Sequence, residues 1–185
     1  MSIKITTLVE NSVYGKGLQG EHGLSLLVDT GEHRLLFDTG ASDLFIRNAR
    51  ILGIDLKEVD FLVLSHGHRD HTGGLHHFLA VNDKAQVVCK RELFQPKFKD
   101  ERENGVMQPD ALDSTRFRFV DEVTELCRSV FVFPQLPVTD EEDTHFEHFF
   151  TWAEGRKQAD TFTDELALVL KQGAEAVSYT HLTLP

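Results

Sequence analysis

Along the first half of the chain, apolar positions come in short runs broken by polar, glycine-rich stretches. Residues 3–9 alternate well enough to predict a strand. Gly15, Gly17, Gly20 and Gly23 mark residues 11–23 as a flexible loop able to approach a ligand closely. The runs 24–28 and 34–37 flank Asp29-Thr30-Gly31-Glu32, which predicts a β-hairpin. Apolar positions at Leu44, Phe45, Ile46, Ala49 and Leu52 predict a helix over about 42–52, with Ser42 as N-cap and Gly53 as its stop. The unbroken run Phe61-Leu62-Val63-Leu64 reads as a strand buried on both faces. A polar, histidine-rich loop follows at 65–74, then a helix over 75–81 and a strand over 85–89. Strand, loop, helix and strand in this order predict an α/β layered sandwich.

The second half is less regular. Residues 95–115 hold Pro96, Gly105 and Pro109 and read as a long loop or lid. Strands are expected at 116–120, 130–133 and 166–171. The aromatics Phe146, Phe149, Phe150 and Trp152 read as local core, with a substrate wall as the alternative.

Charge changes the picture mainly by exclusion. The net charge is −11, and no block of Lys and Arg offers a footprint for nucleic acid. Nine carboxylates between Thr139 and Glu165 face only Arg156 and Lys157, which describes a solvated surface. No apolar run reaches the ~20 residues of a membrane span. No signal-peptide pattern opens the chain, so the expected location is cytoplasmic, with no membrane partner. Cys89 and Cys127 are too few for a disulfide scaffold, and Cys89 ends an apolar run as a small core residue.

The chemistry concentrates in Ser65-His66-Gly67-His68-Arg69-Asp70-His71-Thr72-Gly73-Gly74. Imidazole nitrogen and carboxylate oxygen suit zinc, iron or manganese. His66 and His68 are two apart, so in extended backbone both rings point to one side and can chelate one ion. Asp70 and His71 come where the chain turns toward the helix and can face a second ion. A polar surface loop with incidental histidines has no need of this spacing. Of the remaining histidines, His76 and His77 diverge on their helix and cannot both be ligands. His145 and His148 read as surface or packing residues, and His33 as exposed.

This H-x-H-x-D-H loop resembles the signature of the metallo-β-lactamase-fold superfamily, and Leu35-Leu36-Phe37-Asp38-Thr39-Gly40 resembles its strand-plus-Asp element. Glu21-His22-Gly23-Leu24-Ser25 and Asp164-Glu165-Leu166-Ala167-Leu168 are similar to segments of one branch. That branch is the 7,8-dihydropterin-6-ylmethyl-4-(β-D-ribofuranosyl)aminobenzene-5′-phosphate synthase-like proteins. The resemblance implies an αββα sandwich and two divalent metal ions, zinc first, with iron or manganese as alternatives. It implies His66, His68, Asp70 and His71 as ligands, with Asp70 also orienting the attacking water. Asp38 would orient the metal loop. Glu21 and His22 lie in the glycine-rich loop near the expected site mouth and read either as contacts to substrate or ligands or as part of a surface loop. The implied activity is that of a metal-dependent hydrolase or transferase on a small-molecule substrate, phosphorylated in that branch. A non-haem di-iron redox protein and an inactive metal-binding fragment are the alternatives.

The resembled branch completes its first metal site with a histidine in a G-C-[SA]-H element, which does not follow Gly173 here. The expectation is a domain over 1–173, incomplete at its C-terminus, and a non-native tail over 174–185. The competing expectation is that His181 substitutes for the missing ligand.

Overall fold

The computed structural model describes residues 3–136, 147–153, 155–173 and 175–179. β1 (Lys4–Val9), β2 (Ser25–Asp29) and β3 (Arg34–Phe37) pair antiparallel. After α1 (Leu44–Ile51), β4 (Phe61–Val63) adds to β3 in parallel. The chain then forms α2 (Arg69–Thr72) and α3 (Leu75–Val81) and returns as β5 (Gln86–Cys89), again parallel. β6 (Lys97–Lys99) and β7 (Arg102–Glu103) leave this sheet, and β8 (Phe117–Phe119) completes it as the sixth strand.

Two smaller antiparallel sheets accompany it. β9 (Thr124–Cys127) and β10 (Val130–Phe133) belong to one. β11 (Phe149–Ala153) and β12 (Arg156–Ala159) join β6 and β7 in the other. β13 (Ala167–Gln172) and β14 (Glu175–Tyr179) complete the first, in the order β14-β13-β10-β9.

The unbroken apolar runs are explained by burial on both faces of the large sheet. Leu36, Leu62, Leu64 and Val87 face the helices and pack with Phe45, Leu75 and Phe78. Their alternates Leu35, Phe37, Val63 and Val88 face the second sheet and pack with Val130, Val132, Leu166 and Leu168. Helices, sheet and sheet are thus stacked as the metallo-β-lactamase-type α/β sandwich requires. Among the described residues no helix is long and apolar enough to cross a membrane.

Several expectations need correction. The helix expected from Ser42 starts at Leu44 with Asp43 in the cap position, although Ser42 Oγ, donating to Glu21 at 2.6 Å, accepts from Leu44 N at 3.1 Å as an N-cap hydroxyl does. The segment read as a loop or lid contains β6 and β7, whose pairing with distant β11 no local pattern reveals. Trp152, read as core, is half-exposed, because β11 belongs to the small sheet and turns this ring to solvent. His33 is half-buried and approaches Asp60 at 3.4 Å. His148 is exposed. The pairing of residues 175–179 as β14 against β13 concerns their conformation and not their origin. His145, Phe146 and His181 lie outside the described residues.

The cysteines differ in access. Cys89 is in the core, where burial pushes its thiol up to about 12. Cys127 is partly covered, and burial pushes it up to about 11. Thiolate is the reactive form. Native protein treated with a disulfide reagent at about pH 8 is therefore expected to label slowly, Cys127 before Cys89. Mass mapping that found Cys89 labelled first would contradict the packing described here.

Candidate metal centre

The histidine-rich loop leaves the carboxyl end of β4, and Asp38 leaves the carboxyl end of the adjacent β3. Open α/β sheets place ligand sites at these strand ends. Asp38 adopts a left-handed backbone (φ 59°), which Asp tolerates better than most residues. The conformation turns its buried carboxylate back onto the loop. Oδ1 accepts from Ser65 N at 2.7 Å, and Oδ2 accepts from Ser65 Oγ at 2.7 Å and from His71 Nδ1 at 2.7 Å.

Hydrogen-bond accounting fixes two ring tautomers. The Ser65 hydroxyl has one proton and donates it to Asp38, so at 2.9 Å it accepts from His66 Nδ1. His71 Nδ1 donates to a carboxylate. In both rings the lone pair of the neutral form then falls on Nε2. The rings of His66 and His71 lie 4.2 Å apart, and those of His66 and His68 lie 4.9 Å apart. All three residues are buried. Burial drives the His71 imidazolium toward neutrality, but Asp38 more than offsets it, so the net shift is upward.

Asp70, partly buried on α2, has Oδ2 3.5 Å from His71 Nε2 and 3.5 Å from His22 Nε2. His22 is mostly exposed and reaches the site from the glycine-rich loop. Glu21 does something else. Its carboxylate accepts from Ala41 N, Ser42 N and Ser42 Oγ, which ties that loop to the start of α1. Close backbone approach explains Gly23, where a Cβ would run into the Asp70 carbonyl oxygen at φ 144°.

The His68 side is built from residues the sequence reading did not connect. Lys97, from β6, is fully buried, with Nζ donating to Asp160 Oδ2 at 2.8 Å and to Asp164 Oδ1 at 2.9 Å. Burial alone would lower the Lys97 pKa, but the two carboxylates outweigh it and raise it. Asp164 Oδ2 accepts from Gly67 N at 2.6 Å, between the two histidines. Asp160 Oδ2 lies 3.5 Å from His68 Nε2, which is buried and makes no hydrogen bond. Phe149 and Phe162 each stand 5.0 Å from the His68 ring. Burial, with Lys97 close by, depresses the His68 pKa to about 4, so the ring is neutral at physiological pH.

Do these residues fit a divalent metal? Among the described residues no three His, Cys, Asp or Glu side chains stand in ready-made coordination geometry. The donor set nonetheless fits in kind: imidazoles and a carboxylate at close quarters, two rings tied at the far nitrogen by Ser65 and Asp38. His66, His68, Asp70 and His71 would hold the ion. His76 is occupied elsewhere, its Nε2 donating to the Met107 carbonyl at 2.7 Å.

Beside α2 a cavity of about 560 Å³ is lined by Arg69, Phe94, Pro96, Val106 and Met107 among others. Arg69 N donates to the Asn104 carbonyl, which seats this segment against the histidine loop.

The sequence profile of the Metallo-beta-lactamase superfamily matches residues 18–164. The 7,8-dihydropterin-6-methyl-4-(beta-D-ribofuranosyl)-aminobenzene-5'-phosphate synthase of Methanocaldococcus jannaschii is 29% identical over 198 residues, covering 96% of this chain and 67% of that protein. The crystal structure of Tm1679, a metal-dependent hydrolase of the beta-lactamase superfamily, aligns with a TM-score of 0.73 at 31% identity, covering 96% of this chain and 64% of that one. A B3 metallo-beta-lactamase with an active-site glutamic acid shares the fold at a TM-score of 0.51 and 18% identity, covering 85% of this chain and 55% of that one. The chain spans about two thirds of the length of the curated relatives it matches.

Proposed function

We infer the function of this chain from one premise: it belongs to the metallo-beta-lactamase superfamily. The reading best supported is a metal-dependent hydrolase, with the metal held by His66, His68, Asp70 and His71. The observation that carries it is the pair of buried rings whose Nδ1 atoms are tied to Ser65 and Asp38, which turns their lone pairs to Nε2. Bound there, divalent cations would supply Lewis acidity and a bound water of lowered pKa, the chemistry that hydrolysis of an ester, amide or phosphoester needs. Asp70, between His22 and His71, is placed to accept a proton and orient the attacking group. The cavity beside Arg69 is the place for the substrate body. Its apolar walls, with Arg69 and Lys97 set against Glu103, favour a partly apolar molecule with a polar end. The synthase relative favours a second reading, transfer onto a phosphorylated small molecule at the same centre.

The test is reconstitution with zinc or manganese, followed by metal analysis and turnover of an activated phosphodiester. His68→Ala is expected to lower turnover about 100-fold or more, since loss of a ligand should exceed the 10–100-fold cost of losing an outer partner. Turnover and metal content that His68→Ala leaves unchanged would sink the reading.

A further inference from the structure

We propose that Asp160, locked in place by Lys97, is the positioning residue for the His68 ring, accepting from Nε2 and leaving the other ring nitrogen for a metal. The inference rests on the metal-centre reading and adds to it a residue outside the ligand set. Of the three histidines, His66 and His71 each have a ring nitrogen engaged by an oxygen of Ser65 or Asp38. His68 lacks such a bond, yet its buried Nε2 has one carboxylate oxygen beside it, Asp160 Oδ2 at 3.5 Å. Metal-binding histidines characteristically donate their second nitrogen to an oxygen, which fixes ring and tautomer.

The Asp160 carboxylate is itself immobilised. Oδ1 accepts from Phe162 N at 2.9 Å, closing a turn that holds Phe162 in a left-handed backbone (φ 54°). Backbone strain of this kind persists only where the surroundings over-determine it. That turn puts the Phe162 ring against His68. Oδ2 accepts from Lys97 Nζ, whose other contact, Asp164, holds Gly67 N. One buried ammonium thus ties together a carboxylate beside the His68 ring and a carboxylate on the loop backbone one residue before it. A Cβ on Gly67 would come within 3.1 Å of both Asp164 Oδ2 and Lys97 Cε, so the loop lies pressed onto this support.

The experiment is long-range proton–nitrogen correlation of the histidine rings in metal-free protein near pH 7.5 (an order set by the ordinary histidine range). It is paired with zinc competition against a chromophoric chelator. In wild-type protein His68 is expected as the Nε2-protonated tautomer. Asp160→Ala is expected to give mixed tautomers and to weaken zinc binding about 10–100-fold. Asp160→Asn keeps an acceptor oxygen and is expected to restore most of the tautomer preference. If Asp160→Ala fails to fold, Asp160→Asn against wild type still decides the matter through the His68 nitrogen shifts. A merely structural role would lower the melting temperature while leaving the tautomer and the zinc affinity of the folded protein unchanged, and that result overturns the proposal. Nδ1-protonated His68 in the wild type overturns it as well. Wild-type protein with the expected tautomer but no zinc affinity sinks the metal-centre reading and, with it, the role assigned to Asp160.

Discussion

Lys97→Met is expected to destabilise the protein by about 3–5 kcal/mol, the usual cost of removing one partner from a buried ion pair. Lys97 neutralises two buried carboxylates, Asp160 and Asp164, and no other cation donates a hydrogen bond to either among the described residues. Met fills most of the volume, so the loss is electrostatic rather than a cavity effect. At this chain length each kcal/mol shifts the melting temperature by about 2–4 °C.

The deficit should also depend on pH. The Asp164 pKa is raised, by burial first, with Lys97 pulling it down. Removing Lys97 can only raise it further. A carboxyl whose folded pKa exceeds its unfolded value binds more protons when folded, so stability falls as pH rises between the two. The variant should therefore recover part of its loss relative to wild type on going from about pH 8 to about pH 5. A urea titration showing a loss under about 1 kcal/mol, constant across that range, would mean that water already screens this cluster.

Asp38→Ala is expected to have an effect of similar size. The substitution removes the acceptor of Ser65 N, Ser65 Oγ and His71 Nδ1, all buried. An unsatisfied buried donor costs about 1–3 kcal/mol. Rotation of the Ser65 hydroxyl toward another acceptor recovers some of this, so about 3–5 kcal/mol is the expected net loss. Ala also tolerates the left-handed backbone at this position less well than Asp. Asp38→Asn keeps one oxygen and accepts that backbone, but its amide group must face a donor. It should fall between wild type and Ala in thermal unfolding. Zinc affinity should drop in the same order, because the His71 ring loses its anchor. Equal stability of Asp38→Ala and wild type would show that the network contributes nothing net.

Much of the fold could be read without coordinates because it depends on local pattern. Residues 34–37, 75–81 and 130–133 form the expected strand, helix and strand with those bounds. In each, the spacing of apolar side chains matches the period of the element that buries them. The gathering of His66, His68, Asp70 and His71 could be read for a related reason: the four lie within six positions, so neighbouring backbone geometry alone brings them together. Asp38 was singled out by resemblance to the strand-plus-Asp element, and its backbone conformation and its bonds to Ser65 and His71 were not visible.

Lys97 shows where local pattern stops. In sequence it is one cation in a polar stretch, the usual mark of a solvated side chain. Its partners Asp160 and Asp164 lie 63 and 67 residues away, inside an acidic stretch that reads as surface. Burial of a charge is decided by what covers it, and here the cover is assembled only when β6 pairs with β11 and the Asp160–Phe162 turn folds over His68. The sequence by itself thus determined the layered core and the clustering of the histidine-rich loop, since both follow from short-range spacing. The second sheet's small neighbour, the buried lysine and the support beneath His68 were decided by tertiary structure, because long-range pairing alone creates the low-dielectric site in which those charges must find one another.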